Sequence, residues 1–399
     1  MIRVLLIPSS DYLGHPFPQR HNQIFERVHD GRDYEVHVVR FNIFNKAKLP
    51  TKCVVHDLPL EFSAESTPLY YLSNAIMHVV EILRIVRQES INVVVAGNIL
   101  PPLLFGLIKE LSRMHLPFIF DLQDYYPASA AGYVCDLNSA FGITIRGFFE
   151  GVTATLLRMA DAVTVPGVAL AGYAKRVLGG NCRQQVYMVP NGISEHFLKK
   201  NDGRSIRKVL GCGEGSLVIG YVGSVEFWLD MRPLIRAVAE AHRQGVNVRF
   251  MLVGGRLQTT YAEKVLDWIR HEGIEQITDY VGFVAHERVP EYVAAMDFGV
   301  IPFDVRNQVA YYAAPNKLWE YLSQGVSVIS TPIPEALAYK HLINIVRSEN
   351  DYISILKNAG KICRERQEEE IRRHVENRTW NKSAERFKEI ISNLVWFKR

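Results

Sequence analysis

Residues 301 to 335 read IPFDVRNQVAYYAAPNKLWEYLSQGVSVISTPIPE, and the local chemistry of this stretch is well defined. Pro315, Asn316 and Lys317 open a helical pattern, Gly325 closes it, and the apolar run Val326 to Ser330 follows. Proline suits a first helical turn, where its missing N–H costs nothing, and glycine suits a left-handed C-terminal cap. Leu318, Tyr321 and Leu322 stand at i, i+3 and i+4, the spacing of a buried stripe. Lys317 and Glu320, also three apart, share a face beside that stripe. On spacing alone they read as an exposed ion pair. The order of the surrounding loops gives them another role.

Working outward, short apolar runs alternate with amphipathic helical patterns along the whole chain, the signature of parallel α/β sheets. The N-terminal strands are expected at Arg3–Pro8, Glu35–Arg40, Asn92–Ala96, Pro117–Asp121, Ala162–Pro166 and Gln185–Val189. Helices are expected near Arg20–Asp30, Leu69–Glu89, Pro102–Met114 and Gly147–Met159. In the second of these, Ile76, Val79, Val80, Leu83 and Val86 form the expected buried stripe. The polar segment 194–215 reads as a linker. A second series of strands starts at Leu217–Gly223 and continues at Val248–Gly254, Ile277–Val281, Gly299–Pro302, Val326–Ser330 and Leu342–Val346. This divides the chain into domains 1–193 and 216–377, with a final helix over 378–399.

At 399 residues the chain is long enough for two such domains, and its 48% hydrophobic, 22% charged composition is that of a globular protein. A net charge of +4 without a dense basic block fits anionic small molecules or an anionic membrane surface, and does not point to nucleic acid. Cys53, Cys135, Cys182, Cys212 and Cys363 are odd in number and scattered, so disulfides and a zinc site are not expected. No run reaches the roughly 18 apolar residues of a membrane span. The expectation is a cytoplasmic protein whose membrane contact, if any, is peripheral.

In parallel sheets ligands bind outside the carboxyl ends of the strands, so the loops there carry the candidates. After the first strand, Gly14 would let backbone approach an anion, or simply serve an ordinary turn. After the strand ending at Asp121 come Gln123, Asp124 and Tyr125. Asp121 and Asp124, three apart in a loop, suit hydrogen bonds to sugar hydroxyls, and Asp124 equally suits a helix cap. After the strand ending near Val222 stand Gly223 and Ser224, and Gly254-Gly255-Arg256 places a guanidinium beside a glycine turn. There is no G-x-G-x-x-G, Walker A lysine loop, H-E-x-x-H or G-x-S-x-G. The thirteen histidines form no evident ligand cluster, and no metal site is expected.

With these residues in hand, the chain resembles the GT-B glycosyltransferases, specifically the retaining GT4 family. The resemblance is strongest over Asp279–Glu335 and extends to ADAVTVPG…VPNGI (Ala160 to Ile193) and to FDLQDYYP. It implies two Rossmann-like domains with parallel sheets facing a central cleft, a nucleotide-diphosphate sugar as donor substrate, no cofactor, and a glycan or lipid-linked acceptor. By position it makes Glu320 the acceptor of the donor's ribose hydroxyls, and places Phe283 and Val284 at the base. It sets Pro315, Asn316 and Lys317 against the diphosphate or sugar. Asn191 and Gly192 would border the cleft, Gly14 would approach the donor phosphate, and Gly223 and Ser224 would follow the first strand of the donor half. Asp124, Lys317 and Glu320 are the expected catalytic residues; Asp121, Gln123, Asp124 and Tyr125 are expected to meet the acceptor.

The pattern departs from the family in places. Tyr312 stands where a first glutamate is common, and Ser224 and Leu229 stand near the usual basic pair. GSVEFWLD fits a branch of the family that shares such changes, and Arg256 or Lys317 is the expected replacement charge. Two other readings use the same fold: a catalytically silent domain that binds a glycan or partner, and a nucleotide-sugar 2-epimerase, which needs no acceptor.

Overall fold

The computed structural model describes the chain apart from residues 16–17, 44–48, 61–66, 98, 133–138, 181–183, 214, 255–259, 363–366 and 398–399. The chain folds as two units: Met1–Asn191 with Trp380–Arg399, and Gly192–Thr379.

The first unit holds a seven-stranded sheet: β1 (Ile2–Ile7), β2 (Tyr34–Arg40), β3 (Val54–Asp57), β4 (Val93–Ala96), β5 (Phe118–Asp121), β6 (Ala162–Val165) and β7 (Gln185–Met188). Their order is β3-β2-β1-β4-β5-β6-β7, and every pair is parallel. The central runs VVVA, FIFD and AVTV are buried at every position. That is the demand of a parallel sheet covered on both faces. β3 was not expected from sequence, because a four-residue strand with a polar second half carries too little pattern to be seen.

The helical region near Leu69–Glu89 is two helices, Thr67–Ser73 and Ala75–Gln88, separated at Asn74. Ala75, Val79, Ile82 and Val86 face the core, while Ile76 and Val80 are 76% and 55% exposed. The solvent face carries Ile76 and Val80 in its first half and Arg84, Arg87 and Gln88 in its second, so the apolar residues of the first half pull the expected stripe off the buried face. The final helix Trp380–Phe397 belongs to this unit and buries Phe387, Ile391 and Val395 in its core, with Phe387 5.2 Å from Phe25.

The second unit holds six parallel strands: β8 (Leu217–Val222), β9 (Val248–Val253), β10 (Thr278–Gly282), β11 (Phe298–Ile301), β12 (Ser327–Ser330) and β13 (Asn344–Ile345), in the order β10-β9-β8-β11-β12-β13. Residues 194–215, expected as a linker, are part of this unit. They form a turn of helix at Glu195–Phe197 and a helix at Arg204–Val209, and bury Phe197, Ile206 and Leu210 in its core. Their many charges hid three apolar anchors. Among the described residues no helix is long and apolar enough to cross a membrane.

Each sheet reverses its strand order once, between β1 and β4 and between β8 and β11. Such switch points open a crevice at the carboxyl ends of the strands. In the second unit this opening is held by one side chain. β8 and β11 pair only at Phe298 with Ile219 and Gly299 with Gly220, then part. The helix Lys317–Ser323 drives Tyr321 into the gap, where its hydroxyl accepts from the Val222 N–H at 2.9 Å and donates to the Val300 carbonyl at 3.5 Å. A Cβ on Gly299 would stand 2.4 Å from the Tyr321 ring, so this position admits no larger residue without displacement. Tyr321→Phe leaves the Val222 N–H buried without its partner. It should destabilise the second unit by about 1–3 kcal/mol in urea denaturation, with little change in far-ultraviolet circular dichroism.

Candidate functional site

Three neighbouring strands of the second unit end in glycine with positive φ: Gly223 at +130° after β8, Gly254 at +87° after β9, and Gly282 at +76° ending β10. Their backbones stay paired, Gly223 N–H to Val253 O at 2.9 Å and Gly254 N–H to Gly282 O at 2.6 Å. The result is a sheet edge without side chains, which lets a ligand approach backbone closely.

Lys317, from the start of its helix, reaches this edge. Its Nζ donates to Tyr221 Oη at 2.9 Å and lies 4.0 Å from the Tyr221 ring centroid and 5.4 Å from that of Phe303. A Cβ on Gly223 would come within 2.9 Å of that Nζ, so the glycine reserves the place for the ammonium. Tyr221 in turn donates to the Ser224 carbonyl at 2.8 Å. Glu320 stands on the same helix, three residues on, and both it and Lys317 are half-buried. Burial pulls the Lys317 ammonium down to about 7, with Glu320 opposing, and pushes the Glu320 carboxyl up to about 7, with Lys317 opposing. Two groups of opposite type poised near neutrality on one face mark a candidate site.

The other expected donor residues of the second unit differ in their surroundings. Asn316 caps the helix, and its Oδ1 is buried with no hydrogen-bond partner among the described residues. Phe283 follows Gly282 and is 76% exposed, while Val284 packs against the core. Tyr312 ends the short helix Gln308–Tyr311, its ring 5.1 Å from that of Tyr311. Ser224 is exposed, but Leu229 is buried and bridged to Phe303, so position 229 presents no side chain to a ligand. Arg256 lies outside the described residues. Pro315 precedes the helix at intermediate exposure.

In the first unit a charged network forms at the carboxyl end of β5. Asp121 is fully buried and accepts from Arg20 Nε at 3.1 Å and Nη2 at 3.2 Å, from Thr164 Oγ1 at 2.6 Å, and from His21 Nε2 at 3.1 Å. Arg20 Nη1 donates to Asn191 Oδ1 at 2.8 Å. The Ser9 N–H donates to His21 Nδ1 at 3.3 Å, which puts the ring's proton on Nε2. The Gln123 side-chain amide lies 2.5 Å from that Nε2, so its oxygen must face the ring to accept. A Cβ on Gly97, after β4, would come within 2.1 Å of the His21 ring, so this glycine makes room for the histidine.

The network revises three expectations. Both Asp121 oxygens are filled by protein donors, so this carboxylate holds the framework and does not meet sugar hydroxyls. Tyr125 is buried and donates to Glu150 Oε2 at 2.5 Å, which removes it from the acceptor contacts. The Gly14 N–H donates to Asp11 Oδ1 at 2.9 Å and is not free for a phosphate. Asp124 is exposed, and the surrounding protein raises its carboxyl, with Arg20 opposing and Asp121 adding. Arg20, His21, Thr164 and Tyr221 were not foreseen. For Arg20, His21 and Thr164 the signal is the strand order, which brings the helix after β1 and strand β6 to the end of β5, and for Tyr221 it is the packing of the Lys317–Ser323 helix on β8; no local spacing records either.

Residues 216–358 match the family model described as glycosyl transferases group 1. The matched stretch lies wholly within the second unit. Solved structures align over the whole chain. Sucrose-phosphate synthase from Thermosynechococcus elongatus has a TM-score of 0.74 at 16% identity, covering 100% of each chain. Anabaena HepE in complex with UDP-glucose has 0.69 at 15%, and WaaG, a glycosyltransferase involved in lipopolysaccharide biosynthesis, 0.66 at 15%; each alignment covers 98% of this chain and 100% of the other. No curated protein sequence matches the chain. The fold is GT-B, as the resemblance implied.

The Asp121 network gives a stability test. Burial alone would raise its carboxyl, but Arg20 and His21 hold it well below the usual range. A lowered folded-state value means that its contribution is complete above the unfolded value of about 3.9 and is lost as pH falls below it. Asp121→Asn strands a buried Arg20 charge and should cost about 3–5 kcal/mol at pH 7. The gap from the parent should narrow below about pH 4 in chemical denaturation curves.

Proposed function

We propose that this chain is a retaining glycosyltransferase that moves a sugar from a nucleotide-diphosphate donor to a hydroxyl of a glycan or lipid-linked acceptor. The observation that carries the reading is Lys317, held by Tyr221 and the vacancy at Gly223 over a side-chain-free sheet edge, with Glu320 beside it. A diphosphate leaving group develops negative charge, and a fixed cation aimed at it stabilises the transition state without reorganisation. Glu320, once ionised, suits two ribose hydroxyls, since charge-assisted hydrogen bonds are the stronger kind. The unpartnered Asn316 Oδ1 accepts a further donor-sugar hydroxyl, Phe283 and Val284 contact the base, and Tyr312 stands near the sugar.

Within this reading Asp124 and Gln123 meet the acceptor hydroxyl, Asn191 orients Arg20 near them, and the charge at the diphosphate comes from Lys317, assisted by Arg256, in place of a metal. The enzyme works in the cytoplasm, with peripheral contact to a membrane when the acceptor is lipid-linked. Because HepE has been solved with UDP and with UDP-glucose, uridine donors are the first to test.

Lys317→Met should lower kcat by about 10²–10³-fold, and Glu320→Gln should weaken donor binding about 10–100-fold. Full activity in both variants rejects the assignment. Product formation only when an acceptor is supplied separates transfer from epimerisation, and an unchanged rate after EDTA treatment checks the metal-independent step.

The paired groups also set a pH dependence. Lys317 loses its charge above about 7 and Glu320 loses its charge below about 7, so donor affinity should be bell-shaped around neutrality. The apparent values belong to the pair, as for any coupled titration. Calorimetric titration with a nucleotide sugar should show the alkaline limb vanish in Lys317→Met and the acid limb vanish in Glu320→Gln.

A further inference from the structure

A second group of chemically capable side chains lies at the β3 edge of the first sheet. β3 is an edge strand paired in parallel with β2, with His37 opposite Val54 and Val39 opposite His56. Residues directly opposite, and residues two apart, share a face, so His37 and His56 are diagonal neighbours on one face. Their rings lie 5.2 Å apart and nearly parallel at 16°, with His37 Nδ1 3.0 Å from His56 Nε2. Glu89, just past the helix Ala75–Gln88, brings a carboxylate to the same point, and one ligand atom from each residue lies within 4.8 Å of the others.

We propose that His37 Nδ1, His56 Nε2 and a Glu89 carboxylate oxygen form a site for one divalent transition ion of the zinc class. Two imidazoles and a carboxylate are a borderline donor set that suits zinc and its neighbours over calcium or magnesium. Zinc–nitrogen bonds of about 2.0–2.1 Å in a tetrahedron place two nitrogens roughly 3.3 Å apart, so the rings need to part by only about 0.3 Å. The fourth position is left to water.

The surroundings support a ligand role. The Glu35 carboxylate lies 3.4 Å from His37 Nε2, the ring nitrogen that is not a proposed ligand, and Arg3 Nε anchors Glu35 at 2.9 Å. Accepting the Nε2 proton leaves the Nδ1 lone pair facing His56, the outer carboxylate–histidine arrangement that metal sites use to fix a tautomer. Arg3 Nη1 also donates to the Glu89 carbonyl at 3.0 Å, so one guanidinium steadies both ends of the cluster. A bound ion would fasten a four-residue edge strand to the end of a helix, covering an edge that four residues of pairing hold only weakly. The competing arrangement is a plain hydrogen bond in which His56 Nε2–H donates to His37 Nδ1.

The test uses the full chain, treated with EDTA and desalted. Zn²⁺ is titrated calorimetrically, and Co²⁺ is followed by its visible absorption. One ion should bind per chain and raise the Tm. Binding should fall at least tenfold in His56→Ala and in Glu89→Gln, and about 10–100-fold in Glu35→Gln, which removes no ligand. Melting of each variant in EDTA shows that it is folded before it is compared. No saturable binding at micromolar Zn²⁺, or equal binding by the parent and folded His56→Ala or Glu89→Gln, overturns the site and leaves the histidine hydrogen bond.

Discussion

The hydroxyl of Tyr321 bridges the place where β8 and β11 part, and the second unit is arranged around it. A parallel sheet that reverses its strand order must open there, leaving backbone groups without ladder partners. Tyr321 satisfies the Val222 N–H and the Val300 carbonyl at once, and Gly299 leaves the space for its ring. The consequence is positional. With Tyr321 fixed, Lys317 lies one turn earlier on the same helix and must point at the glycine-ended strands, and Glu320 must stand beside it. Trp319 secures the far side of the helix, buried with the Arg378 guanidinium 4.2 Å over its ring.

The two units treat buried charge in opposite ways. Asp121 has every oxygen matched by a donor, so its charge is fixed and its role is to hold Arg20, His21 and Thr164 in register. Lys317 and Glu320 are left with little more than each other and a tyrosine, and both are displaced towards neutrality. A satisfied network contributes rigidity, whereas an under-satisfied pair is one that a ligand can complete. That contrast separates framework from working groups more clearly than proximity does.

Much of this was legible in the residues. The alternation of apolar runs and amphipathic segments gave both sheets, and Pro315 and Gly325 bracketed the helix that matters. Gly325 has φ of +77°, the left-handed conformation its place after the helix demands. Other features were not. Residues 194–215 look like solvent-exposed chain because three buried side chains are diluted by charges. The buried face of Ala75–Gln88 does not follow from the spacing, because the solvent face also carries Ile76 and Val80 beside its charged residues. The framework role of Asp121 is not legible locally, because nothing near it in the chain shows that Arg20, about a hundred residues earlier, returns to it.

The sequence by itself determined most of the elements, their parallel arrangement, and the placing of Lys317 and Glu320 on one helical face, since these follow from spacing, capping and burial within a few residues. Only the tertiary structure decided what each charge is for. A carboxylate becomes framework or working group according to the donors that reach it, and those donors arrive from elements close in the fold and distant in the chain.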